Sequence, residues 1–410
     1  MDGTGFDELH ERRGTQSIKW SLGEKDGAWV EYPIGPDEGP ENVELLPMWL
    51  ADMDFPTAPA VIEAMQRRLD HGIFGYTALD DEFYEAVISW EQRRHGWTID
   101  RDWIVTNSGV MPAINLMIQT FTDSGDGVIV QPPVFHPIPQ AVVLNGRRLV
   151  TNPLRFANGR YEMDLADLET KAASGSTRMM LLCSPHNPVG RVWTPEELRT
   201  VADICAQNDL LLVSDEIHGD LTHSWSHFRS VGSLGAQHLG GLAVCTSPSK
   251  AFNLPGLKTS LTIIPDDNLR EAYLTTLRNQ NELFGANLFG ITAVKAAYTA
   301  GEQWLESLLD YLADNVGFVE SYLADRLPHL RLVRPDALYL LWIDCRALNL
   351  SGADLDARLR DAGVWVEQGA TYGIEGDGFI RMTIACPRSV LEKAMKRVEQ
   401  ALGTDGESPA

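Results

Sequence analysis

Three short apolar runs, each closed by polar residues, constrain the fold of this chain more than any other feature. Residues 179–183 end in Ser184-Pro185-His186-Asn187-Pro188. Residues 210–213 end in Ser214-Asp215-Glu216-Ile217-His218. Residues 241–244 lead into Cys245-Thr246-Ser247-Pro248-Ser249-Lys250. Unbroken apolar runs of this length read as strands buried on both faces, the pattern of parallel sheets covered by helices. Helical patterns alternate with them. One begins at Thr194-Pro195-Glu196-Glu197, which supplies an N-cap, a proline in the first turn and acidic residues at the positive end. The chain therefore predicts an open, mostly parallel α/β sheet. Ligands of such sheets sit beyond the carboxyl ends of the strands, where these polar residues cluster.

The third run carries the most specific chemistry. A lysine at the end of a buried strand is expensive to keep charged, and a neutral amine is a nucleophile toward an aldehyde. Lys250 is thus suited to form a Schiff base. Ser247 and Ser249 offer hydroxyl donors, and Lys258 a second cation, as a phosphate would require. An aldehyde-binding lysine beside a phosphate cup suggests pyridoxal 5′-phosphate. Asp215 would keep a pyridine nitrogen protonated, and Asn187 would reach the ring oxygen. Taken alone, the same segment also reads as a surface loop with two ordinary lysines.

The order Asn-Pro, Asp-x-x-His, Ser-x-Lys resembles the aminotransferase-fold (fold type I, class I/II) pyridoxal-phosphate enzymes. It is similar above all to their cystathionine β-lyase and cysteine-S-conjugate β-lyase branch, which includes the maltose-regulon modulator. The resemblance rests on a series: Lys19-Trp20, Met48-Trp49-Leu50-Ala51-Asp52-Met53-Asp54-Phe55, Gly72-Ile73-Phe74-Gly75-Tyr76-Thr77, the Asn187 and Asp215 segments, the lysine loop, Tyr339-Leu340-Leu341-Trp342, and Arg381 with Ala385-Cys386-Pro387-Arg388. It implies a large, mostly parallel seven-stranded sheet domain and a smaller α/β C-terminal domain. The expected divisions are 1–54 (arm and part of the small domain), 55–290 (cofactor domain) and 291–410 (small domain).

The resemblance also implies roles. Ser108, Gly109 and Val110, where a strand meets a glycine turn and a helix, fall on the family's phosphate turn, and helix N-terminal N–H groups suit that task. Phe135 falls where an aromatic, usually Tyr, stacks on the cofactor ring; the ring face is kept and the phenol is absent. His218 joins the cofactor set. Arg381 would grip the substrate α-carboxylate, although an arginine amid apolar strand residues also reads as half of a structural ion pair. Tyr339 joins Arg381 and Asn187 as a substrate contact. Tyr76 would reach the phosphate of the other subunit, implying a homodimer, although a core tyrosine is the plainer reading. Residues 368–373, Gln-Gly-Ala-Thr-Tyr-Gly, depart from the family's Pro-Gly-x-x-Phe-Gly.

The implied reaction is cleavage of the Cβ–S bond of a cysteine S-conjugate by α,β-elimination to thiol, pyruvate and ammonia. Asp215, Lys250 and Phe135 are its catalytic candidates. The alternative on the same scaffold is transamination, or decarboxylation coupled to oxidative deamination, of an S-substituted cysteine in a specialised pathway. A formal net charge of −23 argues against nucleic acid and anionic membranes as partners. No apolar leader or span and five scattered cysteines point to a reduced, cytoplasmic setting with no metal centre. Residues 1–14 read as a loose polar arm, and 28–44 as irregular. Residues 291–312 and 316–327 read as long helices, and 405–410 as disordered.

Overall fold

The computed structural model describes residues 5–25, 28–31, 45–281 and 286–403. Its contacts divide the chain into two units. The larger comprises Thr57–Leu309 with Asp336–Leu338. The smaller combines the N-terminal residues up to Pro56 with Asp310–Pro335 and the chain from Tyr339 on. Where the sequence suggested a boundary at 291, residues 291–309 pack with the larger unit. The ring of Tyr298, for example, stacks on Trp90 with centroids 4.7 Å apart.

The larger unit is built on a seven-stranded sheet. In spatial order its strands are Ile104–Asn107, Ser260–Ile263, Leu242–Thr246, Leu211–Asp215, Thr177–Cys183, Gly127–Val130 and Arg148–Thr151. Ser260–Ile263 runs against both its neighbours, and the other strands run parallel to one another. Every residue of Leu211–Asp215 and Leu242–Thr246 is buried, which explains the unbroken apolar runs. Arg148–Thr151 lies at the edge and alternates more. The helix Pro195–Gln207 begins with the full capping box of Thr194 and Glu197. Register sets Asp215 opposite both Cys183 and Cys245, so the polar ends of three strands align at one edge.

The smaller unit holds an antiparallel sheet in the order Arg331–Val333, Leu340–Asp344, Phe379–Thr383, Glu367–Gln368. Arg381 lies across from Trp342 on one side and Glu367 on the other. A short parallel pair joins Val364–Trp365 to Leu46–Pro47.

Several sequence expectations need correction. Residues 5–14 are not a loose arm. Phe6 is buried against Phe55 and Tyr311, and Arg12 pairs with Asp52 and Asp54. Ala28–Glu31 is not irregular but a strand antiparallel to Leu22–Lys25. The remainder of 28–44, like 405–410, lies outside the described residues. The long helices divide at Gly301, giving Leu288–Ala300 and Glu302–Arg326. A Cβ at Gly301 would come within 2.5 Å of the Phe252 ring and 2.6 Å of the Ala297 carbonyl, so glycine is required there. Among the described residues no helix is long and apolar enough to cross a membrane, and no cluster of His, Cys, Asp and Glu is arranged to hold a metal.

Candidate active site

Asp215 closes its strand and is buried, and its Oδ1 accepts from the Ile217 backbone N–H at 3.2 Å. Burial pushes the carboxyl up to about 6, against the opposing pull of that N–H and of the Lys250 charge. A buried carboxylate so raised calls for a cationic partner. Lys250 is half-buried on the turn after Leu242–Thr246, close enough for its charge to be felt at Asp215. The sequence's central pair is therefore brought together.

Asn187 is buried beyond the end of the neighbouring strand Thr177–Cys183. Its carbonyl accepts the backbone N–H of Phe135 at 3.0 Å. His186 Nε2 donates to the Pro133 carbonyl at 2.9 Å, which fixes Nε2 as the protonated nitrogen. Burial lowers the His186 pKa to about 4, so the ring is neutral. The half-buried Phe135 ring and the Asn187 amide are thus carried on two loops bonded to each other.

The strand Ile104–Asn107 turns through Ser108 and Gly109 into the helix Val110–Phe121. Gly109 has φ 150°, a backbone that side chains rarely adopt, and a Cβ there would meet Pro112 at 3.3 Å. The first N–H groups of a helix have no partner within it and form an anion site. Tyr273, which sequence reasoning missed, braces this turn. Its hydroxyl donates to Asn107 Oδ1 at 2.7 Å, and Asn107 Nδ2 donates to Thr262 Oγ1 at 2.9 Å. A tyrosine more than 160 residues away from its partner leaves no local signal.

In the lysine loop, Ser247 is placed differently from the expectation. Its hydroxyl donates to the Thr259 carbonyl at 2.7 Å and accepts from the Ser249 N–H at 3.1 Å. The one hydroxyl proton is used inside the loop, so Ser247 shapes the cup rather than adding a donor to it. Ser249 is half-buried, and Lys258 is exposed with φ 46°, a left-handed conformation that a lysine adopts only at some strain. His218 is buried after the Asp215 turn. Tyr76 is not a core tyrosine: it stands fully exposed.

In the smaller unit, Arg381 is only 3 % exposed. Its Nη2 donates to the Trp49 carbonyl at 2.7 Å, and its guanidinium lies 5.0 Å from the centroid of the Tyr372 ring. A cation over an aromatic face is held by the ring quadrupole. Glu367 lies across from Arg381 on the adjoining strand. Tyr339 is also buried, and its hydroxyl donates to the Ala51 carbonyl at 3.1 Å. That phenol proton is committed to backbone, which ties Tyr339 to the segment before Asp52.

The donor set of the larger unit fits pyridoxal 5′-phosphate. A raised, buried carboxyl suits a pyridine nitrogen, a glycine-opened helix start suits a phosphate, and a lysine stands within range of the carboxyl.

The family model described as aminotransferase class I and II matches residues 48–398. The chain is 40% identical over 399 residues to cystathionine beta-lyase PatB of Bacillus subtilis (strain 168), covering 97% of this chain and 99% of that protein. Its structure is similar to that of cystalysin from Treponema denticola, which contains a pyridoxal 5′-phosphate cofactor; the TM-score is 0.90 at 31% identity, over 97% and 98% of the two chains. It is also similar to a pyridoxal-phosphate-bound C–S lyase from Staphylococcus hominis in complex with L-cycloserine, with TM-score 0.87 at 32% identity over 97% and 98%.

Proposed function

The chain belongs to the class I and II aminotransferase family, whose pyridoxal 5′-phosphate chemistry it shares, and on that premise we propose that it cleaves cysteine S-conjugates. The reaction takes an S-substituted cysteine and water to a thiol, pyruvate and ammonium. The observation that carries this reading is the buried Asp215 carboxyl, raised to about 6 and within charge range of Lys250. Similarity to cystathionine and C–S lyases supports the choice of sulfur as the leaving atom.

When bound, the cofactor supplies an electron sink for negative charge at the substrate Cα. The residues divide the remaining work. Asp215 holds the proton on the ring nitrogen, and Asn187 holds the ring oxygen. The N–H groups at Gly109 and Val110, with Ser108, Ser249 and Lys258, hold the phosphate, while Ser247 shapes the loop. His218, buried three residues after Asp215, joins the residues that hold the cofactor. The face of Phe135 packs on the ring. Lys250 Nζ takes the Cα proton as a general base. Arg381 holds the α-carboxylate through its planar fork.

We propose further that two copies of the chain associate and that Tyr76 serves its neighbour's phosphate. Tyr76 is fully exposed, and Ile62, Leu69, Ile73 and Phe74 around it in sequence are also exposed. Apolar side chains gathered this way suit a second copy of the chain. We infer a cytoplasmic setting from composition alone. A second reading, transamination or oxidative decarboxylation of the same substrate class, is favoured by one feature, the absence of a phenol at Phe135.

The test is product analysis on a panel of S-alkyl and S-aryl cysteines and cystathionine. Stoichiometric thiol, pyruvate and ammonia are expected. A keto acid or decarboxylated product that keeps the sulfur would overturn the lyase reading in favour of the second.

A further inference from the structure

Lys19-Trp20 and residues 48–55 carry part of the family resemblance, yet none of these side chains has a place in the chemistry above. The structure joins them. Lys19 is 0 % exposed; its Nζ donates to Asp54 Oδ2 at 2.8 Å and to the Asp52 carbonyl at 3.2 Å. Trp20 Nε1 donates to Asp54 Oδ1 at 2.8 Å. Arg12 reaches Asp54 Oδ1 at 2.7 Å, Asp52 Oδ2 at 2.8 Å and the Met53 carbonyl at 3.0 Å. Further along the same stretch, Tyr339 donates to the Ala51 carbonyl and Arg381 to the Trp49 carbonyl. The Asp52 N–H donates to the Leu50 carbonyl at 3.0 Å, closing the turn between the two halves.

A run of six residues is therefore held at one end by two buried or half-buried cations and at the other by Arg381. Buried ion pairs are a poor source of net stability, because desolvation offsets much of the attraction, but they can fix one geometry among several. The fixed product here is the position of the Trp49 carbonyl, which takes one N–H of the Arg381 guanidinium. The Tyr372 face then sets the plane of that guanidinium. Tyr372 is itself held edge-to-face against Trp342 at 5.6 Å.

We propose that Arg12, Lys19 and Asp54 are positioning residues: a charged clamp that aims Arg381 by fixing the Trp49 carbonyl. The proposal rests on the reading of Arg381 as the carboxylate holder. It makes the N-terminal segment part of substrate recognition without contact to substrate. An arginine displaced by a fraction of an ångström still carries its charge but loses its planar match to a carboxylate.

The test uses the holoenzyme and reads binding from the cofactor's visible spectrum, with L-alanine and ethylamine as probes. These differ in carrying or lacking a carboxylate. Lys19→Met is expected to weaken L-alanine binding by roughly tenfold while ethylamine stays within about twofold, a size typical of coupled neighbours. In an Arg381→Lys background, where the fork is gone, adding Lys19→Met should change L-alanine binding little. Lys19→Arg should restore much of the discrimination. Should Lys19→Met not fold, Arg12→Gln, at a side chain that is 21% exposed, carries the same expectation. Equal weakening of both probes, or additive losses in the double variant, would show a merely structural role and overturn the clamp. If Arg381→Lys alone fails to discriminate the probes, the reading of Arg381 falls and the clamp with it. If that variant discriminates and Lys19→Met does not, the clamp alone falls.

Discussion

The backbone N–H of Phe135 donates to the carbonyl of Asn187 at 3.0 Å, and this bond ties together the loops that follow two neighbouring strands, Gly127–Val130 and Thr177–Cys183. The His186 to Pro133 bond adds a second rung. The backbones that carry the Phe135 ring and the Asn187 amide are therefore fixed to one another by the protein alone. Sites held this way on rigid elements keep their geometry when a cofactor enters or leaves.

The lysine assignment has a direct chemical check. Lys250 stands on the turn after a buried strand, close enough to act on Asp215. Borohydride reduction of the holoenzyme followed by peptide mapping is expected to mark Lys250 and no other lysine. Lys250→Ala should take up no label, and a mark on Lys258 instead would reassign the site.

Asp215 makes a stability prediction as well as a catalytic one. Its folded pKa is raised from 3.8 to about 6 by burial, so the ionised form is disfavoured in the folded chain. The penalty is absent below pH 4, grows between pH 4 and 6, and is full above that. A shift of about two units corresponds to roughly 3 kcal/mol. Cofactor-free Asp215→Asn should therefore melt at a higher temperature than the cofactor-free parent at pH 8, with the two converging near pH 4. With cofactor bound, the variant should lose most turnover, because an amide cannot hold the ring nitrogen protonated. Equal melting temperatures at pH 8 would show that the carboxyl is not strained.

A second buried network supports the turn after Asp215. His95 Nδ1 lies 2.8 Å from Glu91 Oε2, and Nε2 lies 3.0 Å from Asp220 Oδ1, which also accepts from Trp90 Nε1 at 3.0 Å. Burial alone would lower the His95 pKa, but the two carboxylates override it and hold the pKa well above 6.5. Arg94, Phe228 and Tyr298 also face this network, and the buried Glu216 feels the Glu91 charge. A raised histidine contributes stability that is full below pH 6.5 and is lost as pH rises through the folded value. His95→Gln should cost about 3–5 kcal/mol near pH 6, the usual size for breaking a buried pair. The deficit should narrow in alkaline solution. A deficit independent of pH, measured by denaturant unfolding at several pH values, would mean that His95 is neutral.

The parts of the site that sit at strand ends were legible because parallel strands expose their chemistry at one edge. Asn187, Asp215 and Lys250 each lie at or just past the end of an apolar run, and the register aligns those strand ends. What stayed hidden depends on long-range partners. Arg12 looks like an ordinary residue of a polar arm, and Lys19 carries a resemblance but no role, until Asp52 and Asp54, over thirty residues on, are brought beside them. Tyr339 reads as a substrate contact from its motif, whereas Ala51, its partner, lies 288 residues earlier. Ser247 shows a different limit: a serine in such a loop looks like a ligand donor, and only the fold shows its proton given to Thr259.

Phe135 decides between the two readings of the reaction. Its ring supplies packing on the order of 1 kcal/mol, and a tyrosine would supply the same, so cofactor affinity should hardly change in Phe135→Tyr. The hydroxyl is a separate matter. A proton donor within reach of a departing sulfur can be worth ~10²-fold in rate. The loop is pinned by the Phe135 to Asn187 bond, and the ring is half-buried, so a hydroxyl added at its tip would be held rather than swing free. Phe135→Tyr is therefore expected to raise pyruvate release from an S-alkyl cysteine relative to any product that keeps the sulfur. The measurement is the ratio of those products from the two proteins on one substrate. An unchanged ratio would make the missing phenol silent. Residues 368–373, where Tyr372 lies under Arg381, would then be the better place to seek what sets the course of the reaction.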